Sequence, residues 1–281
     1  MILMNTRISF IGAGNMAEAL IRGLIRAKIF PAVAITAADP REERRAHHTG
    51  RFSIAAVADN REAIARGDIV VLAVKPQSLP AVAGDLGALR ETQLLISILA
   101  GVTTGILEEI IAKPVPVVRA MPNTPALVQA GVTAICAGKH AREEHLRQAE
   151  TILGALGKVV RIPEKLMNAV TAVSGSGPAY FYLFVESLAA SARDLGLEKE
   201  TAEFLARETL IGAARLLAET GDHPASLRGK VTSPGGTTAA ALEVLERGEL
   251  RALLAEAVKA ACRRGEELGE RLKGLSSRPR S

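Results

Sequence analysis

The chain has 281 residues, enough for two domains, and 48% of them are hydrophobic, enough for a sizeable core. Only 3% are aromatic and tryptophan is absent, so the core must be built from Ala, Leu, Val and Ile. Such side chains suit close-packed helices and a parallel sheet buried on both faces. The net charge is +5, but 35 basic residues are interspersed with 30 acidic ones. The densest basic runs, Arg41 to Arg45 and Lys273 to Arg280, contain no interleaved aromatics, which argues against nucleic acid as a partner and leaves solubility and attraction of anionic ligands.

Cys136 and Cys262 form no CxxC pair and no metal-ligand spacing, and their apolar or helical contexts point to buried free thiols. Met1 to Arg7 is too short for a signal peptide ahead of the first strand, and no apolar run is long enough to span a membrane. A soluble cytoplasmic protein is expected.

In chain order, a β-like run at Arg7 to Ile11 leads through Gly12-Ala13-Gly14 into a helix from Met16 to Ala27. Further strands are predicted at Val33 to Ala37, Ser53 to Val57, Ile69 to Val74, Leu94 to Ile98, Val115 to Ala120, Val132 to Ala137 and Lys158 to Ile162. Short apolar strands between helical segments predict an α/β, doubly wound, mainly parallel sheet. After about Pro163 no strand follows, and Leu166 to Leu195, Lys199 to Glu219, Thr237 to Arg247 and Leu250 to Lys273 read as helices. The division expected is 1–164, binding a dinucleotide, 165–275, all-α, and a frayed tail at 276–281. The stretch from Tyr180 to Val185 is apolar on every side, and a helix of that kind must be buried, here most simply against a second copy of the chain.

Gly12-Ala13-Gly14-Asn15-Met16-Ala17 is a GxGxxA form of the dinucleotide fingerprint in the required strand–turn–helix setting. The first glycine permits the tight turn, the second lets a pyrophosphate approach the backbone, and the small third residue lets helix and strand pack closely. The helix N-terminus then faces the anion. Asp39 lies 22 residues after Ala17, where an acidic residue can bond the ribose 2′-OH of NAD. Arg41, Arg44 and Arg45 follow at once and can hold the 2′-phosphate of NADP. Asp39 can equally serve as a helix N-cap with Pro40 behind it. Both the ligand role and the cofactor type stay open on these residues alone.

Other strand ends carry unusual residues at the edge where such sheets bind ligands: Ala73-Val74-Lys75-Pro76, Ser97 to Gly101, and Arg119 to Pro125 with its two prolines around Asn123-Thr124. Ordinary turn chemistry explains each as well, and Lys75 reads as a surface or packing lysine at least as readily as a base. In the helical part, Ser174-Gly175-Ser176-Gly177-Pro178 interrupts an apolar helix, pointing to a kink, a close approach or a break. Ser233-Pro234-Gly235-Gly236-Thr237-Thr238 opens the next helix, and its backbone N–H groups and hydroxyls suit a carboxylate, with a cap by Thr237 or Thr238 as the plainer alternative. His47, His48, His140, His145 and His223 lie in polar segments and are expected to be exposed, and no Ser-His-Asp or His-metal constellation is apparent.

GAGNMA at 12–17, AVKPQ at 73–77, SILAGV at 97–102, RAMPNTPALVQAG at 119–131, SGSGPAY at 174–180 and SPGGTT at 233–238 occur in the order found in pyrroline-5-carboxylate reductases, and the chain resembles that family over nearly its whole length. The resemblance implies an N-terminal Rossmann domain, a C-terminal helical dimerisation domain, and hydride transfer from NADPH or NADH to 1-pyrroline-5-carboxylate, giving proline. It implies that Gly12, Gly14, Asn15, Met16 and Ala73, Val74, Lys75 and Pro76 line the cofactor, with Asn60 at the adenosine ribose. Ala100, Met121, Pro122 and Asn123 would lie near the nicotinamide. Ser233, Gly235, Gly236, Thr237 and Thr238 would hold the substrate, Thr238 bonding the imine nitrogen. In the family this loop completes a site with the partner subunit's Rossmann domain, so a homodimer or ring of dimers is implied. Asp39 departs from the Ser, Asn or Arg that many NADPH-preferring members carry, which bears on the cofactor and not on the reaction.

Such a reaction needs little acid–base machinery. A protonated imine is already a good hydride acceptor, and the protein must chiefly bring the nicotinamide within about 3–3.5 Å of its carbon. A β-hydroxyacid dehydrogenase would instead rely on a helical-domain lysine, and Lys165, Lys199 and Lys230 sit in no catalytic motif.

Overall fold

A computed structural model of the chain describes residues 6–276. Eight strands form one sheet: β1 (Ile8–Ile11), β2 (Ile35–Ala38), β3 (Ala55–Val57), β4 (Ile69–Leu72), β5 (Leu94–Ser97), β6 (Val117–Met121), β7 (Gly131–Ala137) and β8 (Gly157–Arg161). Their order is β3-β2-β1-β4-β5-β6-β7-β8, parallel throughout except between β6 and β7. All eight expected strands are present, shifted by one or two residues at their ends. Every residue of β1, β2, β4 and β5 is buried, as expected for strands covered on both faces.

The covering helices are α1 (Asn15–Arg26), α2 (Glu42–Phe52), α3 (Asn60–Arg66), α4 (Leu79–Leu86), α5 (Thr104–Ile111) and α6 (Glu143–Leu153). They make two cores, one per face. Ile8 and Phe10 of β1 join Leu20, Leu24 and Phe30 on one side, whereas Ile11 joins Leu79, Leu86 and Leu107 on the other. That division follows from the alternation of side chains along a strand. Gly23 lets α1 lie against the segment before β8, since a Cβ there would meet the Ala155 carbonyl oxygen at 2.7 Å.

Beyond β8 the chain is helical: α7 (Met167–Val170), α8 (Gly177–Asp194), α9 (Lys199–Thr220), α10 (Pro224–Lys230), α11 (Thr237–Arg247) and α12 (Leu250–Ser276). The SGSGP interruption resolves into a π-helical turn at Thr171–Gly175, with the Ser176 N–H reaching the Thr171 carbonyl at 2.8 Å. Close approach is the reason for its glycine, because a Cβ on Gly175 would lie 2.8 Å from Cε of Met121. The short α10 has no counterpart in the sequence reading. Ser276 closes α12, and 277–281, the rest of the expected tail, lie outside the described residues.

Two compact units emerge: residues up to Ser176 together with those from Ala261 onward, and Gly177–Ala260. Within the second, α8 and α9 pack on each other with Ala189, Ala202 and Ala206 buried. Phe181, Tyr182, Leu183 and Phe184 are between 52% and 63% exposed in the single chain, so the all-round apolar stretch of α8 lacks a cover of its own. No described helix is long and apolar enough to cross a membrane.

Candidate active site

The sheet reverses its strand order around β1, which pairs with β2 on one side and β4 on the other. Loops leaving the carboxyl ends of those strands diverge there and open a crevice. Backbone hydrogen bonds carry the ladder into the loops: the Gly12 N–H donates to the Ala38 carbonyl (2.9 Å), that of Ala73 to Ile11 (2.8 Å), and that of Ile98 to Leu72 (3.1 Å). The loops bearing Gly12 to Gly14, Asp39, Ala73 to Pro76 and Ala100 are thereby lined up on one edge, with Met121 to Asn123 following at the end of β6.

Gly12 has φ +93°, and a Cβ there would meet the Ala73 carbonyl oxygen and Val74 Cγ1 at 2.9 Å each. Both facts demand glycine. Gly14 is different. It is extended, it is the N-cap of α1 with no side-chain cap, and a Cβ on it would meet nothing within 4 Å. Open space in front of uncapped helical N–H groups, those of Asn15 and Met16 included, is the setting a pyrophosphate requires. The site therefore fits a dinucleotide.

Asp39 is buried, yet it does not cap α2, whose N-cap is Arg41 without a side-chain bond. The capping alternative is thus corrected: the carboxylate turns back toward the glycine turn. It accepts from the Ala13 N–H (3.2 Å), the Arg41 N–H (3.0 Å) and the Arg41 guanidinium (Nε 3.0 Å, Nη2 3.1 Å). Burial alone would raise its pKa, but these hydrogen bonds and the Arg41 charge outweigh it and hold the carboxyl below its ordinary value. The Arg41 side chain, fixed in this way, is 57% exposed. Arg44 donates to the Ala13 carbonyl and Arg45 to those of Asp39 and Pro40.

Asn60 begins α3 and donates to Asp85 at 2.9 Å, beside Arg61, which meets the same carboxylate at 3.1 Å. Asn123 is buried and committed to the fold. Its amide donates to the Ser174 hydroxyl (3.3 Å) and its oxygen accepts from the Val132 N–H (3.0 Å), which braces the turn between Met121 and the 3₁₀ helix at Thr124–Val128. Pro122 is buried, Ala100 half-buried and Lys75 exposed.

In the second unit, Gly235 has φ +68° and turns the chain into α11. The N-cap is Gly236 with no side-chain bond, so the expected cap by Thr237 or Thr238 is corrected: both are already helical residues. A Cβ on Gly236 would press on the Ser233 hydroxyl, which would have to rotate away. The loop thus presents uncapped first-turn N–H groups with hydroxyl-bearing residues on both sides, a carboxylate-binding arrangement.

Two residues beside the glycine turn have other partners than the sequence suggested. His48, expected to be exposed, is fully buried, and with Arg44 it bonds the Ala13 carbonyl. Their i, i+4 spacing on the helix directly after β2 was the available signal. Of the cysteines, Cys136 is buried and its thiol pushed up to about 12, by burial first and then by Glu164, whereas Cys262 is half-buried.

A mainly parallel sheet that reverses order at a glycine turn and an uncapped helix defines a dinucleotide-binding architecture. A family described as pyrroline-5-carboxylate reductase dimerisation matches residues 164–268, and one described as NADP oxidoreductase, coenzyme F420-dependent, matches 7–101. The pyrroline-5-carboxylate reductase of Pseudomonas aeruginosa is 45% identical over 95% of this chain and 98% of its own. That of Synechocystis is 44% identical over 95% and 100%. The solved pyrroline-5-carboxylate reductase of Coxiella burnetii superposes with a TM-score of 0.87 at 40% identity, covering 94% of this chain and 98% of that one. The pyrroline carboxylate reductase of Plasmodium falciparum, solved with NADP bound, gives 0.84 at 32% identity over 94% and 98%. The chain belongs to the pyrroline-5-carboxylate reductase family. It is an NAD(P)H-dependent oxidoreductase and carries the family's dimerisation domain.

Proposed function

We propose that the protein reduces 1-pyrroline-5-carboxylate to L-proline in the cytoplasm, the last step of proline biosynthesis, working as a homodimer or a ring of dimers. The reading is carried by one conjunction: a dinucleotide turn and a glycine-opened, uncapped α11 occur together in a chain that matches reductases of that name along 95% of its length. In this reading residues 1–164 bind the dinucleotide and 165–275 supply the dimer contacts and the substrate loop. Bound NAD(P)H supplies the hydride, which adds to the carbon of the C=N bond as the nitrogen takes up the electron pair and then a proton from water. The residues of the chain position the reactants. Gly12, Gly14, Asn15 and Met16 cradle the pyrophosphate, with Ala73 to Pro76 beside it and Asn60 toward the ribose. Ala100, Met121, Pro122 and Asn123 shape the nicotinamide end. Ser233, Gly235, Gly236 and Thr237 take the substrate carboxylate, and Thr238 bonds the ring nitrogen.

Asp39 favours NADPH over NADH. A carboxylate has about four lone-pair sites, and four donors from Ala13 and Arg41 already occupy them. A ribose hydroxyl would have to displace one, whereas a 2′-phosphate would meet the exposed Arg41 guanidinium that Asp39 holds in place.

Thr238→Ala tests the substrate assignment. Loss of one hydrogen bond to a charged group should lower kcat/KM by the equivalent of roughly 1.5–3 kcal/mol while the oligomer stays folded. Unchanged kinetics would remove Thr238 from the mechanism.

A further inference from the structure

The peptide groups on both sides of Ala13 are gripped from outside the glycine turn. Its N–H goes to Asp39, and its carbonyl accepts from Arg44 Nε (2.9 Å), Arg44 Nη2 (2.6 Å) and His48 Nε2 (3.0 Å). Arg44 and His48 stand one turn apart on α2. Arg44 is braced in turn by Glu18 of α1 at 3.3 Å, and the same carboxylate holds His47 (3.1 Å) and Arg51 (3.5 Å). His48 is fully buried and its Nδ1 has no partner; its Nε2 donates to the Ala13 carbonyl and lies 3.5 Å from Arg44 Nη2.

The geometry of the peptide bond gives this clamp a consequence. No cis peptide occurs among the described residues, and in a trans peptide the C=O and the following N–H point in opposite directions. Fixing the Ala13 carbonyl toward α2 therefore aims the Gly14 N–H away from α2. Gly14 is the N-cap of α1, the position with open space around it. We infer that Arg44 and His48 are positioning residues for the dinucleotide: they touch no ligand atom, and they set the orientation of the Gly14 N–H that receives the pyrophosphate. The inference rests on the glycine turn being the pyrophosphate site. It assigns Arg44 a backbone partner in place of the cofactor's 2′-phosphate.

The test uses the full-length protein and direct titration with NADPH and with NADH, alongside steady-state kinetics. His48→Leu keeps bulk and removes the donor, His48→Gln restores an N–H at similar reach, and Arg44→Gln removes the fork. His48→Leu and Arg44→Gln should each weaken binding of both nucleotides by roughly tenfold, raise KM for the nucleotide in parallel, and leave kcat at saturating nucleotide nearly unchanged. His48→Gln should recover most of the loss, which a purely packing role for the ring would not produce. Should His48→Leu fail to fold, Arg44→Gln at its partly exposed position decides alone. Wild-type affinity in the variants overturns the inference, and so does a loss confined to NADPH, which would place Arg44 on the 2′-phosphate. Failure of the unaltered protein to bind either nucleotide would instead remove the pyrophosphate reading itself, and the inference with it.

Discussion

The carboxylate of Asp39 pairs with the Arg41 guanidinium at 3.0 Å, and on the proposed reading this pair selects the cofactor. If Asp39 serves as a holder for Arg41, Arg41→Ala should raise KM for NADPH roughly tenfold and leave that for NADH unchanged or lower, because the freed carboxylate can then accept a ribose hydroxyl. Equal losses with both cofactors would contradict it. Titration gives a second residue-scale expectation. Burial depresses the His48 pKa below its ordinary 6.5, a tendency that Arg44 and His47 reinforce and that the Ala13 carbonyl and Glu18 oppose. Below 6.5 the unfolded chain then binds more protons at this site than the folded one, so the contribution is complete above that value and is lost as the pH falls. Denaturation midpoints at about pH 7.5 and 5.5 should drop further for the unaltered protein than for His48→Gln; equal drops would show that the imidazole does not remain neutral in the fold. The sequence displayed Gly12 and Gly14 plainly, because a glycine at a strand–helix junction has few other causes. It showed the i, i+4 spacing of Arg44 and His48 but not the burial of the imidazole, which depends on what α2 packs against.

Among the elements, β6 and α5 are joined by an interaction that crosses the chain. Arg119 in β6 is 3% exposed and pairs with Glu164 at 3.2 Å, while Glu164 also accepts the first N–H of α5, at Thr104 (2.8 Å), and the Thr104 hydroxyl (2.7 Å). Glu164→Ala leaves a buried guanidinium and a helix terminus without their acceptor and should cost about 3 kcal/mol in chemical denaturation. A loss below about 1 kcal/mol would mean that Arg119 finds water or another acceptor, as surface pairs do. Strands β1, β2, β4 and β5 were legible because they are covered on both faces, which forces continuous apolar runs such as Ile69 to Leu72. The turn at Thr171–Gly175 was legible only as an irregularity: glycine there answers to the Met121 side chain, a neighbour from β6 about fifty residues earlier. Asn123 looked like a ligand candidate by its motif, yet its side chain spans Ser174 and Val132. Its contribution to a nicotinamide site would come through the backbone it holds.

For the molecule as a whole, the exposed apolar stretch of α8 and the dimerisation family match point the same way. In a single chain Phe181 to Phe184 lie uncovered, and contiguous apolar surface of that kind marks an interface. The sequence already carried this signal, since a helix apolar on every side must be buried somewhere. On the proposed reading, the oligomer brings a reduced nicotinamide and a cyclic imine together. The most direct measurement is oxidation of NADPH and of NADH by the purified oligomer in the presence of 1-pyrroline-5-carboxylate, with proline quantified as product. Turnover is expected with both, with a higher kcat/KM for NADPH and one proline formed per nicotinamide oxidised. A folded oligomer that binds the nucleotide and yields no proline with either cofactor would contradict the proposed reading.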